Sequence, residues 1–147
     1  MRLERLNPGV IVLPPGAFQV SKAVHDGKYL LFNDLAGHTV TLPAAVGSGA
    51  DFTFIGQVSP TTNNNIVKVQ NATDTMLGSL TISGTTTVAF PASAVAGADL
   101  ITMNRTTTGG GGRGEWLEFI DVAPGLWFVK GNLTGVGAPA TPFTSGV

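Results

Sequence analysis

The side chains that could carry out chemistry are few and widely spaced in this 147-residue chain. Its two histidines, His25 and His38, each lie beside turn residues, and neither has a second metal-ligating residue at a usual spacing. The acidic residues are scattered singly, without the dense pattern of a calcium-binding loop. Cysteine is absent, which excludes thiolate metal sites and thiol nucleophiles. We therefore expect no metal, no cofactor and no enzymatic activity.

Two local features invite a chemical interpretation. Glu115, Glu118 and Asp121 fall on one predicted hairpin, so a pair of carboxylates for acid–base catalysis stays open in three dimensions, although nothing in the sequence favours it over surface charge. The run GGGGRG at Gly109–Gly114 resembles a phosphate-binding loop in composition. No Lys-Ser/Thr pair follows it, and the next segment has a strand pattern rather than a helical one. The run is expected to be a flexible loop.

The composition is typical of a part of an assembly. Only 12% of the residues are charged, 43% are hydrophobic, and the net charge is −1. Ordinary soluble domains have about a quarter of their residues charged, so a monomer of this composition would expose much apolar surface, which usually marks a partner interface. The balanced charge argues against nucleic acid and anionic lipid as partners, and no small-molecule substrate is indicated.

The N-terminal apolar stretch predicts neither secretion nor membrane insertion. Pro14 and Pro15 interrupt it, and it is shorter than the apolar region of a signal peptide or the roughly 20 residues of a spanning helix. We expect a soluble protein made in a cytoplasm.

Short strand patterns recur along the chain, whereas helical patterns are nearly absent. Twenty glycines, nine prolines and frequent threonines interrupt every long window. Strand candidates bounded by Gly, Pro, Asn or Asp lie at 38–42, 51–58, 66–70, 80–83, 87–90 and 100–103. Many short strands with closely spaced turns predict an all-β fold, as a single compact sandwich or barrel of short antiparallel strands.

The clearest local unit is a hairpin, formed by residues 115–122 and 126–133 around Ala123-Pro124-Gly125. Pro fixes φ at the first turn position, and Gly accepts the positive φ of the second. With Val122 opposite Trp127, one face collects both tryptophans, Trp116 and Trp127, and is predicted to be the core. The other face is half apolar and suits a subunit interface; it carries Leu117, Phe119, Asp121, Phe128, Lys130 and Asn132. A hairpin that serves the core alone is the other interpretation.

Residues 1–19 are predicted to form an extended N-terminal arm, because prolines interrupt their apolar side chains and cannot continue a central strand. Such an arm must lie on its own domain or on a neighbour. Residues 20–147 are the expected β domain, which ends in the hairpin and an extended C-terminal tail. A chain without residues 1–13 is therefore expected to fold and to assemble.

Three segments resemble small virion proteins of tailed bacteriophages. They are TVTLPAAVGSGADFTF at 39–54, NIVKVQNATDTMLG at 65–78 and GEWLEFIDVAPGLWFVKGNLTGVGAPATPF at 114–143. These virion proteins resemble capsid decoration (cement) proteins, which are all-β, usually trimeric, and seated over the joints between capsomers. The resemblance implies a homotrimer that binds the major capsid protein at the capsid surface of a virion, after synthesis in the host cytoplasm. It assigns no individual functional residue.

A cement protein stabilises a shell by burying apolar area at many linked contacts. The side chains expected to contact the capsid protein or a sister subunit are Leu3, Leu6, Val10, Ile11, Val12, Leu13, Phe119 and Phe128. The alternative is a receptor- or glycan-binding module of a phage tail or fibre, which would need exposed aromatic or acidic side chains gathered in a groove. The placement of both tryptophans on the predicted core face counts against that alternative.

Overall fold

The structure is a computed structural model that describes residues 9–85 and 90–147, with the backbone alone for 90–93. Within these residues there are twelve strands and one helical turn. In chain order they are β1 (Val10–Val12), β2 (Gly16–Gln19), α1 (Lys22–His25), β3 (Tyr29–Phe32), β4 (His38–Thr41), β5 (Asp51–Gly56), β6 (Asn65–Lys68), β7 (Thr75–Ser83), β8 (Phe90–Ser93), β9 (Leu100–Met103), β10 (Trp116–Ala123), β11 (Leu126–Thr134) and β12 (Phe143–Thr144). The all-β expectation is confirmed. The described residues contain no helix with the length and apolar character needed to cross a membrane.

The strands form two sheets, and both are mixed. The large sheet has the order β1-β3-β5-β10-β11-β7-β8, and the small sheet has the order β12-β9-β6-β4-β2. From β1 to β6 successive strands alternate between the sheets, and each of β3 to β6 lies parallel to the strand two places before it. The expectation of antiparallel strands is wrong for this half of the domain. After each strand the chain crosses to the other sheet, and when it comes back to the first sheet its next strand runs in the same direction as before. These six strands therefore wind as a coil.

Antiparallel pairing occurs in the second half of the domain, in the pairs β6–β9 and β7–β8 and in the hairpin β10–β11, which lies between β5 and β7. β10 runs antiparallel to β5, whereas β11 runs parallel to β7. The hairpin therefore joins the coil to the β7–β8 pair and completes the large sheet.

One hydrophobic core receives side chains from both sheets. Its largest fully buried members include Trp127, Phe52, Phe54 and Phe119. Phe54 stacks on Phe32 at 5.3 Å between ring centroids and meets Phe119 edge-on at 5.7 Å. Such aromatic contacts add about 0.5–1.5 kcal/mol each to the stabilisation from burial. The inner face of the large sheet is thus the main aromatic layer of the core.

The hairpin turns where expected, but its register differs from the expected one. Asp121, not Val122, lies opposite Trp127, and the pairing shifts by one residue before Ala123. This extra residue is a β-bulge, and a one-residue shift reverses which side chains of a strand face inward. Trp127 is fully buried as expected, whereas Trp116 is 38% exposed on the opposite face. The prediction that both tryptophans lie in the core is wrong for Trp116.

The described part of the predicted arm belongs to the β domain rather than extending away from it. Val10–Val12 form the edge strand of the large sheet, and Gly16–Gln19 form the edge strand of the small sheet. The two prolines between them, Pro14 and Pro15, occupy the link from one sheet to the other, where no ladder hydrogen bond is needed. Residues 1–8 lie outside the described residues.

The C-terminal segment follows the domain closely. β12 pairs with β9, and Phe143 is buried in the core. The backbone N–H of Gly146 donates to the Asp99 carboxylate at 2.9 Å. The last part of the tail is thus extended, as expected, and fastened to the small sheet, whereas Gly135 at its start donates to the carbonyl of Ser83 in the large sheet.

Candidate interaction surface

The carboxylates that the sequence left open for catalysis do not come together. Asp121 faces the inside of the domain, while Glu118 faces outward and forms an ion pair with Lys130 at 3.0 Å. Glu115 lies six positions before Asp121, about 20 Å away along an extended strand. The described residues also contain no group of three or more His, Asp or Glu side chains that could hold a metal ion.

Asp121 fixes the loop that precedes β5 to the hairpin. Its carboxylate accepts hydrogen bonds from the backbone N–H groups of Val46, Gly47 and Ser48 at 2.7–3.2 Å, and from the Ser48 hydroxyl at 2.7 Å. Burial alone would raise the pKa of Asp121, but the hydrogen bonds from Ser48, Gly47 and Val46 outweigh it and hold the pKa below its usual value. The role of Asp121 is therefore structural.

Glu115 fixes the glycine-rich loop in the same way. Its carboxylate accepts hydrogen bonds from the N–H groups of Gly110 at 2.9 Å and Thr134 at 3.0 Å. Burial raises the pKa of Glu115, and these two N–H groups oppose the rise. The glycine-rich run thus binds a carboxylate of its own chain. It is also held by several other hydrogen bonds, including one from Gly114 N–H to the carbonyl of Gly56 at 2.8 Å. The flexibility expected of this loop stays a prediction.

The outer face of the large sheet has the features of a contact surface. Val12, Leu31, Ile55 and Trp116 are successive register partners on β1, β3, β5 and β10, so their side chains form one row across four strands. A second row joins β10, β11 and β7 through Ile120, Phe128 and Leu77. We call this surface the apolar face; it consists of Val10, Val12, Tyr29, Leu31, Ile55, Leu77, Trp116, Ile120 and Phe128.

The middle of the apolar face carries three charged residues, of which Asp51, the register partner of Ile120, is only 6% exposed. Glu118 and Lys130, which lie between the two rows, neutralise each other at 3.0 Å. Several of its apolar side chains are open to solvent: Val10 is 62% exposed, Val12 54%, Leu77 39% and Trp116 38%. Contiguous apolar surface of this kind is uncommon on soluble monomers and usually marks an interaction site.

The outer face of the small sheet is different in composition. Register pairing places Ala17, Thr39, Ile66 and Thr102 in one row and Gln19, Thr41, Lys68 and Leu100 in the next. Five of these eight residues are polar, with threonine the most frequent, and no aromatic side chain belongs to either row. The two outer faces therefore offer a natural comparison between an apolar surface and a hydrated one.

The structure brings together some of the predicted contact residues and separates others. Val10, Val12 and Phe128 all lie on the apolar face, and Ile11 packs partly against the core. Leu13 and Phe119 are 2% and 0% exposed inside the domain, so the prediction that they contact another chain is wrong. For Phe119 the cause is the bulge at Val122, and for Leu13 it is the link that carries the chain between the sheets. Leu3 and Leu6 lie outside the described residues.

A shallow groove continues the apolar face at one end of the large sheet. Its volume is about 530 Å³, and its walls are formed by Leu31, Ile55, Gly56, Gln57, Arg113 and Gly114. Leu31 and Ile55 belong to the row that ends in Trp116. Sequence reasoning missed this groove. The alternation of Ile55 with Phe52 and Phe54 was a signal for a second face, but the approach of Gly114 to Gly56 had none.

The chain matches no protein-family model, no curated protein and no solved structure. Its function has to be argued from the surfaces described above.

Proposed function

We propose that the protein is a structural component of a bacteriophage virion: a capsid decoration (cement) protein that assembles as a homotrimer and binds the major capsid protein on the outside of the shell. The observation that carries the proposal is the apolar face, which needs a protein partner to leave water. We also propose that the two sheets pack face to face as a sandwich, which would make the large sheet a firm platform for such a contact.

The size of the apolar face supports an assembled state with more than one contact. Six strands spaced by about 4.8 Å and about six residues long at about 3.3 Å each cover about 500 Å². A stable protein interface buries about 800 Å² on each partner. The apolar face thus supplies more than half of one such interface. The remainder would come from neighbouring loops, as expected for a protein that links several neighbours at once.

The experiment is to test the two outer faces against each other. Trp116→Lys on the apolar face should convert the oligomer to monomers and weaken co-sedimentation with capsid shells that lack the protein, at least about tenfold in each measurement. Thr102→Lys on the small sheet introduces the same charge on the hydrated face and should leave both unchanged. Native mass spectrometry at micromolar concentration gives the oligomeric state. A folded Trp116→Lys variant that assembles and binds shells normally would overturn the proposed role of the apolar face.

A second candidate function is a receptor- or glycan-binding module of a phage tail or fibre. The observation in its favour is the exposed indole of Trp116 beside the groove, because aromatic rings provide flat, rigid contact area for such ligands. Binding to a panel of host surface glycans would distinguish the two functions. Saturable binding that is lost in Trp116→Ala, together with no affinity for shells, would favour the tail or fibre module.

A further inference from the structure

The groove at the end of the apolar face has an apolar wall and a basic side chain at its rim, and this chemistry is complementary to an apolar side chain next to a carboxylate. Leu31 and Ile55 line it, and the exposed Arg113 stands at its rim. The Arg113 Nε donates to the carbonyl of Gln57 at 3.1 Å, which orients the guanidinium. An arginine has five N–H donors and pairs well with carboxylates. The nearest acidic group in sequence, Glu115, is buried and accepts hydrogen bonds from the N–H groups of Gly110 and Thr134, so the guanidinium of Arg113 is the charged group at the rim of the groove.

A projecting turn on the same chain has the complementary chemistry. In the turn between β3 and β4, Leu35 is 57% exposed, and the carboxylate of Asp34 stands next to it in the chain. The turn is held by hydrogen bonds within its own chain. Asp34 Oδ1 accepts a hydrogen bond from Ala36 N–H at 2.9 Å, and the Leu35 carbonyl accepts one from Thr61 N–H at 2.7 Å. Ordering in advance lowers the entropic cost of binding.

We propose that Leu35 of one copy inserts into the groove of the next copy, where Asp34 pairs with Arg113. This contact rests on the homo-oligomer proposed above and names residues that hold it together. In the proposed trimer the contact is head-to-tail: the turn of each copy enters the groove of the next, and the ring closes after three copies. Leu35 does not fill the groove of its own chain, because its side chain is more than half exposed.

The other exposed apolar tips fit the groove less well. Outside the apolar face, and within the residues whose side chains are described, they are valines, which reach less far than leucine: Val24, Val46, Val95, Val122 and Val136. The carboxylates near them bind backbone of their own chain. Asp121 holds the loop at Gly47, Asp99 holds Gly146, and Asp26 accepts from Asp51 N–H. The carboxylate of Asp34 is half-buried and accepts its hydrogen bond from Ala36 N–H within the turn itself, directly beside the exposed Leu35.

Charge reversal with compensation tests the contact in the full chain. Arg113→Glu and Asp34→Lys should each weaken self-association at least about tenfold, as measured by sedimentation velocity over a concentration series, because close charge pairs at interfaces are strongly coupled. The double variant, with the charges exchanged, should recover to within about threefold of the wild-type protein. Leu35→Ser should weaken association without a change of charge.

Matched controls separate the contact from folding. Lys68→Glu makes the same charge change as Arg113→Glu on the hydrated face of the small sheet and should leave association unchanged. Asp34→Asn keeps an acceptor for Ala36 N–H and removes the charge, so it should weaken association while the thermal unfolding midpoint is retained. If the double variant associates no more tightly than the single variants, the proposed contact is overturned. Assembly through the apolar face would not be affected by that result. A wild-type protein that stays monomeric would overturn both.

Discussion

His38 is a buried imidazole that joins three segments of the backbone by hydrogen bonds. Its Nε2 accepts hydrogen bonds from the backbone N–H groups of Asn33 at 3.2 Å and Asp34 at 3.1 Å, so it carries no proton. Its Nδ1 therefore carries the proton and donates to the carbonyl of Pro14 at 3.1 Å. Burial lowers the pKa of His38, against the raising effects of the Pro14 carbonyl and the Asp34 charge. The neutral ring ties the link between β1 and β2 to the turn between β3 and β4.

This arrangement predicts a loss of stability in mild acid. Because the pKa of His38 is lowered on folding, its contribution is complete above about pH 6.5, the ordinary histidine value, and decreases as the pH falls through the lower folded pKa. His38→Gln should reduce the free energy of unfolding at pH 7.5 by about 1–3 kcal/mol, since two backbone N–H groups lose their acceptor. In His38→Gln the free energy of unfolding should also change less between pH 7 and pH 5 than in the wild-type protein, as measured by urea unfolding.

Glu115 provides a control for that measurement, because its contribution to stability changes with pH in the direction opposite to that of His38. Burial raises its pKa, so its contribution to stability is largest in acid and decreases as the pH rises through the folded pKa. Glu115→Gln should therefore leave the acid loss of the wild-type protein in place or deepen it. A wild-type slope that survives unchanged in His38→Gln would contradict the assignment to His38.

At the scale of the element, the bulge at Val122 decides which face of β10 contacts water. Before the bulge, Leu117 and Phe119 face the core together with Asp121, so Trp116, Glu118 and Ile120 face outward. The hydrogen bonds from the loop at Gly47 to Asp121 hold the hairpin at this point. A single extra residue thus turns an aromatic side chain from the core onto the apolar face.

The two tryptophans should therefore respond differently to truncation. Trp127→Ala should lower the free energy of unfolding by about 3–5 kcal/mol, because a large buried side chain leaves a cavity. Trp116→Ala should cost less than about 1 kcal/mol in stability and act mainly on assembly. Chemical denaturation gives both values. Emission from Trp127, isolated in Trp116→Phe, should be blue-shifted and resist iodide quenching; similar quenching of both tryptophans in the monomer would contradict the register.

At the scale of the whole molecule, the coil of β1 to β6 leaves both of its first strands at sheet edges. β1 ends the large sheet and β2 ends the small sheet, and the link between them carries the buried Leu13. This N-terminal turn of the coil covers the ends of β3 and β4, and it also contributes Val10 and Val12 to the apolar face. Folding and assembly are therefore connected through one segment.

A pair of deletions tests this connection and revises the expectation that residues 1–13 are dispensable for folding. A chain without residues 1–13 loses β1 and the Leu13 side chain, and its free energy of unfolding should fall by about 3 kcal/mol or more. A chain without residues 1–8 keeps every described strand and should fold. Differential scanning calorimetry compares the two. Equal unfolding midpoints would show that the N-terminal turn of the coil contributes little.

The sequence by itself determined the strand-rich composition and the turn at Ala123-Pro124-Gly125, because each depends on residue type and short spacing. The sequence also indicated that side chains alternate between two faces along each strand. Alternation defines two faces without saying which one is inside, since that depends on what packs against the strand. The parallel coil, the bulge at Val122 and the approach of Gly114 to Gly56 all arise from contacts between residues far apart in the chain. Only the tertiary structure therefore decided that Trp116 and Phe128 share an outer face, that Phe119 lies in the core, and that a groove with Arg113 at its rim continues that face.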